Sequence, residues 1–171
     1  MTSIYAFTAG QALTALALNN AINNIMPVTA IKVSDTTRSS TTTFADDPDL
    51  TVPVAANINY YVDAMLLYDT AATPLIKFQL TVPSGATRYW VFNGLATSVT
   101  ATGDGVVRLS DKVNALGTAG AGSITGAPLR GTVLNGSTAG FATLQWAQNV
   151  SNAANTILKA GSWLRLIPQP A

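Results

Sequence analysis

Three aspartates, Asp46, Asp47 and Asp49, stand within four residues of the chain. Their carboxylate oxygens are close enough in sequence to share a hard cation such as calcium, at an exposed and flexible site. No twelve-residue loop closed by Glu follows, and the chain contains no Glu. The plainer reading, which we prefer, is a solvated turn, where aspartate is favoured for the hydrogen bonds it makes to nearby backbone. No metal and no other cofactor is expected. Serines are plentiful, but the chain has no His to activate one, which excludes a Ser-His-Asp triad. Gly120-Ala121-Gly122-Ser123-Ile124-Thr125 lacks the Gly-Lys-Ser/Thr ending of a phosphate loop, and Thr125 stands where the dinucleotide fingerprint has its third Gly. Tyr61, Tyr89, Trp90, Trp146 and Trp163 offer faces on which sugar rings can stack. Aromatics embedded in strands more often fill a core, so Trp90, Trp146 and Trp163 are expected as packing anchors. No catalytic residue is assigned, and an enzyme is not expected.

Composition explains where such groups would have to sit. Charged residues make up 10% of the 171 residues and apolar ones 48%, against about 25% charged in an ordinary soluble domain. The surface must therefore be covered by Ser, Thr, Asn and Gly or buried against partners, which points to assembly. The nine Lys and Arg residues are scattered singly and the net charge is +1, so the basic footprint of a nucleic-acid binder is missing. There is no Cys, and neither disulfides nor thiolate metal sites hold the fold. Each apolar run falls short of the roughly 18 residues of a membrane span. No Lys or Arg precedes Lys32, so a secretory signal is not supported.

Two regions are expected: an anchor segment with a short helix over residues 1–27, and a β-sandwich domain over 28–171. Thr14 suits an N-cap, and Ala15, Leu18, Ile22 and Ile25 follow at spacings of three, four and three, the seam of a short coiled coil. Asn19, Asn20, Asn23 and Asn24 form the opposite side, and Pro27 ends the helix. A helix of about a dozen residues is marginal alone and needs a partner, either its own domain or another subunit.

From residue 29 onward Thr, Val, Ile, Gly and Pro dominate, and turn signals recur at the spacing of a sandwich or jelly roll with about eight to ten short strands. Asp46 to Asp49 is expected as a turn before a short strand at 50–54, which Pro53 marks as edge or bulged. In the clearest strand Ile58, Tyr60, Val62, Ala64, Leu66 and Tyr68 face one way, and Tyr61, Asp63, Met65 and Leu67 the other. Large apolar groups on both faces predict a central strand. Residues 116–128 read as a mobile glycine-rich loop, and Asn135-Gly136 as a hairpin turn. Residues 141–167 read as a closing β-hairpin that seats Trp146 and Trp163 on the preformed sheet, because a two-stranded ribbon alone is marginal.

Two stretches resemble virion proteins of tailed bacteriophages, especially those infecting actinobacteria. Phe7-Thr8-Ala9-Gly10-Gln11-Ala12-Leu13-Thr14-Ala15, with Asn19 shortly after, resembles the opening of minor tail and fibre proteins. Leu144-Gln145-Trp146-Ala147-Gln148-Asn149, with Ala160-Gly161-Ser162-Trp163-Leu164-Arg165, resembles the end of a β-rich domain recurring in them. The resemblance implies a structural virion component, a homotrimeric minor tail or tail-fibre protein attached to other virion proteins through its N-terminal segment. Its place would be the virion, on the tail rather than the head. The alternatives are a capsid fibre or decoration protein of the head, or a module binding a receptor or host surface glycan. The resemblance supplies no catalytic residue.

Overall fold

The computed structural model describes Gly10, Ala12, Thr14, Ala15, Leu18, Asn19 and Ile22, then residues 25–97, 105–110 and 114–169, with the backbone alone described at 105–110 and 114. The expectations for residues 1–9 and for the helix face bearing Asn20, Asn23 and Asn24 lie outside these residues. Ala15, Leu18, Asn19 and Ile22 are helical. Leu18 N donates to Thr14 O at 3.0 Å, and Met26 N closes the last turn on Ile22 O at 2.9 Å.

The other described residues form twelve strands, more than the eight to ten expected: β1 (Val28–Ile31), β2 (Thr36–Arg38), β3 (Ala45–Val54), β4 (Asn59–Thr70), β5 (Ile76–Thr81), β6 (Thr87–Leu95), β7 (Gly105–Ser110), β8 (Asn114–Leu116), β9 (Thr125–Leu134), β10 (Gly140–Gln148), β11 (Thr156–Leu158) and β12 (Trp163–Gln169), with the segments that join them. The larger sheet runs β1-β12-β4-β9-β6-β7, with β11 joining β2 and β4 beside it; the smaller runs β3-β10-β5-β8. The described pairs are antiparallel. Set aside the short pair β2/β11 and the hairpin β6/β7. The eight remaining strands then pair first-eighth-third-sixth in one sheet and second-seventh-fourth-fifth in the other. That is the strand order of a jelly roll, two Greek keys folded face to face.

This topology corrects the closing hairpin. β10 lies between β3 and β5 in the smaller sheet, while β11 and β12 pair with β4 in the larger one. The two arms are consecutive in sequence and belong to opposite layers. Trp146 is fully buried between the sheets, whereas Trp163 is half-buried on the outer face of the larger sheet. Asn135-Gly136 likewise makes no hairpin, because β9 and β10 lie in different sheets. Asn135 instead donates its amide to Ala55 O at 2.7 Å, and Gly136 O accepts from Asn57 N at 2.7 Å, fastening two crossovers together.

The central-strand expectation holds: β4 is flanked by β12 and β9. Its even-numbered residues Tyr60 to Tyr68 are buried, as period-two alternation requires. They meet the smaller sheet, where Phe78 lies edge-on to Tyr68 at 5.9 Å and stacks on Phe92 at 5.7 Å; Trp90 tilts against Phe92 at 5.1 Å. Residues 117–124 connect β8 to β9, and they are not a loose loop. Tyr68 donates to Gly117 O at 2.6 Å, Thr118 Oγ1 to Thr70 O at 2.8 Å, and Gly122 N to Asp69 at 2.9 Å. Gly117 is required there, since a Cβ would lie 2.1 Å from Ala96 O. Burial pushes the Tyr68 phenol well above its usual range, so it stays a donor.

Candidate functional site

The aspartate triplet is neither a turn nor a cation cage. It lies inside β3, where the pairing with β10 shifts: Thr51 opposes Thr143 and Asp46 opposes Gln145, so residues 47–50 bulge against Leu144 alone. Asp49 N donates to Asp47 Oδ1 at 3.1 Å, the local bond for which aspartate suits such a kink. The bulge turns Asp46 away from Asp47 and Asp49, which share one partner. Asp46 takes the Gln145 amide at 2.6 Å, at the surface. Asp47 points inward and is fully buried. The cation it meets belongs to the chain: Lys32, just past β1, places Nζ 2.9 and 3.1 Å from the Asp47 oxygens, 3.3 Å from Asp49 Oδ2 and 2.7 Å from Thr36 Oγ1. Trp146 Nε1 completes the cluster, donating to Asp47 Oδ2 at 3.1 Å. Among the described residues no group of three acidic side chains is arranged to hold a metal ion. Lys32 escaped notice in the sequence because it stands alone there, and a lone lysine ordinarily signals a solvated surface.

The outer face of the larger sheet is the second notable region. Strand register lines up three rows. Ile31, Trp163, Met65 and Pro128 form one, and Ile167, Tyr61, Thr132 and Tyr89 another. Between them run Thr29, Arg165, Asp63, Arg130 and Val91. Asp63 bridges its neighbours, at 2.6 Å from Arg165 and 3.9 Å from Arg130. The Arg165 guanidinium also lies 5.3 Å from the Trp163 ring centre. Ile31, Tyr61 and Tyr89 remain 60%, 52% and 56% exposed. Of the five aromatics considered for sugar stacking, Trp90 and Trp146 are buried and cannot receive a ring. Tyr61 and Tyr89 project from strands two places apart, roughly 10 Å.

The predicted seam is also uncovered. Ala15, Leu18, Ile22 and Ile25 are all exposed, as is Met26. Near the end of this segment lies a cleft of about 500 Å³ lined by Met26, Pro27, Val28, Thr29, Pro53, Ala55 and Tyr60. Of those seven, Tyr60 alone can titrate, and its hydroxyl is engaged by Ala55 N at 2.8 Å. The cleft has no acid–base pair with which to act on a ligand. Among the described residues no helix is long and apolar enough to cross a membrane.

No family model matches the chain, and no curated protein matches it. Among solved structures it is similar to one described as the structure of infectious bursal disease virus Gt strain, at 12% identity and a TM-score of 0.20. That alignment covers 84% of this chain and 41% of the other, so the chain spans less than half the length of its counterpart. A likeness of this size has no bearing on function.

Proposed function

We propose that the chain is a structural component of a phage virion, a homotrimeric minor tail or tail-fibre protein. The N-terminal segment attaches it to other virion proteins, and the jelly roll stands outward. The observation that carries the reading is the uncovered apolar surface in two places: the stripe of Leu18, Ile22 and Ile25, and Ile31, Tyr61 and Tyr89 on the outer face of the larger sheet. Exposed apolar surface on this scale calls for a partner. The absence of His, Glu and Cys from the sequence agrees with a role in assembly rather than catalysis. The resemblance of residues 7–15 and of the two stretches around Trp146 and Trp163 to tail proteins supports the virion assignment.

The test is the mass of the full chain in solution, by native mass spectrometry, for wild type and for Leu18→Asp/Ile22→Asp. A trimer that dissociates in the variant places the contacts in the helix, and a trimer that persists places them on the sheets. A monomeric wild type at micromolar concentration sinks the trimer. Labelling of intact particles with antibody to the β-domain decides the location: signal on tails supports the proposal, and signal on heads makes the protein a capsid fibre or decoration protein.

A further inference from the structure

We propose that Lys32 and Asp47 join in an intramolecular isopeptide bond, an amide between Nζ and Cγ, with Asp49 as the proton shuttle. Lys32 directly follows β1, at the edge of the larger sheet, and Asp47 lies on β3, at the edge of the smaller. The bond therefore fastens the two sheets where the sandwich is open.

The geometry is that of reactants held together. Nζ lies at nearly equal distances, 2.9 and 3.1 Å, from the two Asp47 oxygens. A nitrogen so placed is about 3–3.5 Å from the carbon between them, the separation of a near-attack conformer. Both side chains are 0% exposed, so bulk water neither solvates the nucleophile nor competes with it. Thr36 Oγ1 accepts from Nζ at 2.7 Å and fixes its direction. Each Asp47 oxygen has its own donor: Trp146 Nε1 on Oδ2 and Asp49 N on Oδ1, both at 3.1 Å. Negative charge developing on either oxygen meets a preorganised N–H. Asp49 Oδ2 stands 3.3 Å from Nζ with a side chain 22% exposed, in reach of the amine and of solvent.

The reaction balances within the site. A proton passes along the 2.9 Å hydrogen bond from the Lys32 ammonium to Asp47, giving an amine and a carboxylic acid. The amine lone pair forms the N–C bond at Cγ, and the carbonyl π pair moves onto oxygen. Asp49 takes a proton from the new N–C nitrogen and delivers it to the hydroxyl on Cγ. The C–O bond breaks, the carbonyl re-forms and water leaves. One ammonium and one carboxylate become one amide and one water, with no oxidant, reductant or second substrate.

The experiment is intact-mass and tryptic-peptide analysis of the purified full chain after denaturation. The expected wild type is one water lighter than its sequence, trypsin does not cut after Lys32, and residues 1–38 are recovered joined to 39–77. The variant Asp49→Asn keeps the fold by circular dichroism, and its joined product forms about a hundredfold more slowly, the usual contribution of a positioned proton carrier. Wild-type chain at full sequence mass with cleavage after Lys32 overturns the proposal, leaving a buried ion pair. Loss of water without the joined peptide also overturns it. Unslowed bond formation in Asp49→Asn overturns the shuttle assignment. The wild-type reading does not depend on whether any variant folds.

Discussion

Trp146 donates its indole N–H to Oδ2 of Asp47 at 3.1 Å, from 99 positions away in the chain. The bond holds the β3 bulge in register with β10. Arg38, on β2 of the larger sheet, closes over the same place. Its guanidinium lies 4.1 Å from the Trp146 ring centre and donates to Trp146 O, to Ala45 O at 3.0 Å and to Asp46 O at 2.8 Å. Burial lowers the Arg38 pKa, and the nearby Asp47 and Asp46 carboxylates oppose that shift. An arginine keeps its charge even so.

Replacing Trp146 with Phe keeps an aromatic ring and removes the donor. On an Asp49→Asn background, which slows any covalent joining, Trp146→Phe should lose about 1–3 kcal/mol, the cost of leaving a buried acceptor short of a partner. Urea unfolding followed by circular dichroism reads the change, and an unchanged midpoint would refute the role given to the indole.

Two glycines of β9 should behave differently. A Cβ on Gly131 would stand 2.2 Å from Tyr89 O and 2.9 Å from Trp90 Cα, so the β6–β9 backbones must part. Gly131→Ala is expected to cost at least about 1–3 kcal/mol. At Gly126 the nearest atoms are the Met65 sulfur at 3.7 Å and Leu67 Cδ2 at 3.8 Å. Gly126→Ala should stay within about 0.5 kcal/mol of wild type. Thermal melts of the pair test the close β6–β9 packing.

The outer sheet face should matter to association more than to folding. Tyr61→Thr/Tyr89→Thr changes two exposed side chains while keeping residues that suit a strand. Each is expected to alter subunit stability by no more than about 0.5 kcal/mol. Sedimentation velocity should show weaker self-association; an identical distribution would remove this face from the proposed trimer contact.

Asp35 provides a pH dependence. The Lys159 side chain and Ala160 N, which donates at 2.8 Å, hold its carboxyl below the ordinary value of 3.8. A folded-state pKa below the unfolded one means that stabilisation is present above about 3.8 and is lost as pH falls through the folded value. Asp35→Asn should melt below wild type at neutral pH, and the two curves should converge in acid. The carboxyl is exposed, so added salt should narrow the gap. A pH-independent difference would show that the pair contributes nothing by charge.

Much of this architecture was legible because its signals are local. The alternation of Tyr60, Val62, Ala64, Leu66 and Tyr68 against Tyr61, Asp63 and Met65 identified a central strand, since neighbours in a strand must face opposite sides. Pro53 marked an edge strand because it cannot donate to a ladder, and β3 is an edge. The expectation of a turn at Asp46–Asp49 registered a real break and misjudged its kind. Aspartate and proline disturb a ladder in a bulge as readily as in a turn, and only the partner strand distinguishes them.

The sequence by itself determined a mainly β chain, the inward face of its central strand and a composition poor in charge, all consequences of residue type and short-range periodicity. Tertiary structure alone decided that β10 and β12 enter different sheets, which separates Trp146 in the core from Trp163 outside. It alone brought Lys32 to Asp47 and Trp146. Alternation states which residues face inward but not which remote strand supplies the ladder, and a pairing across 99 positions leaves no mark on the residues near either end.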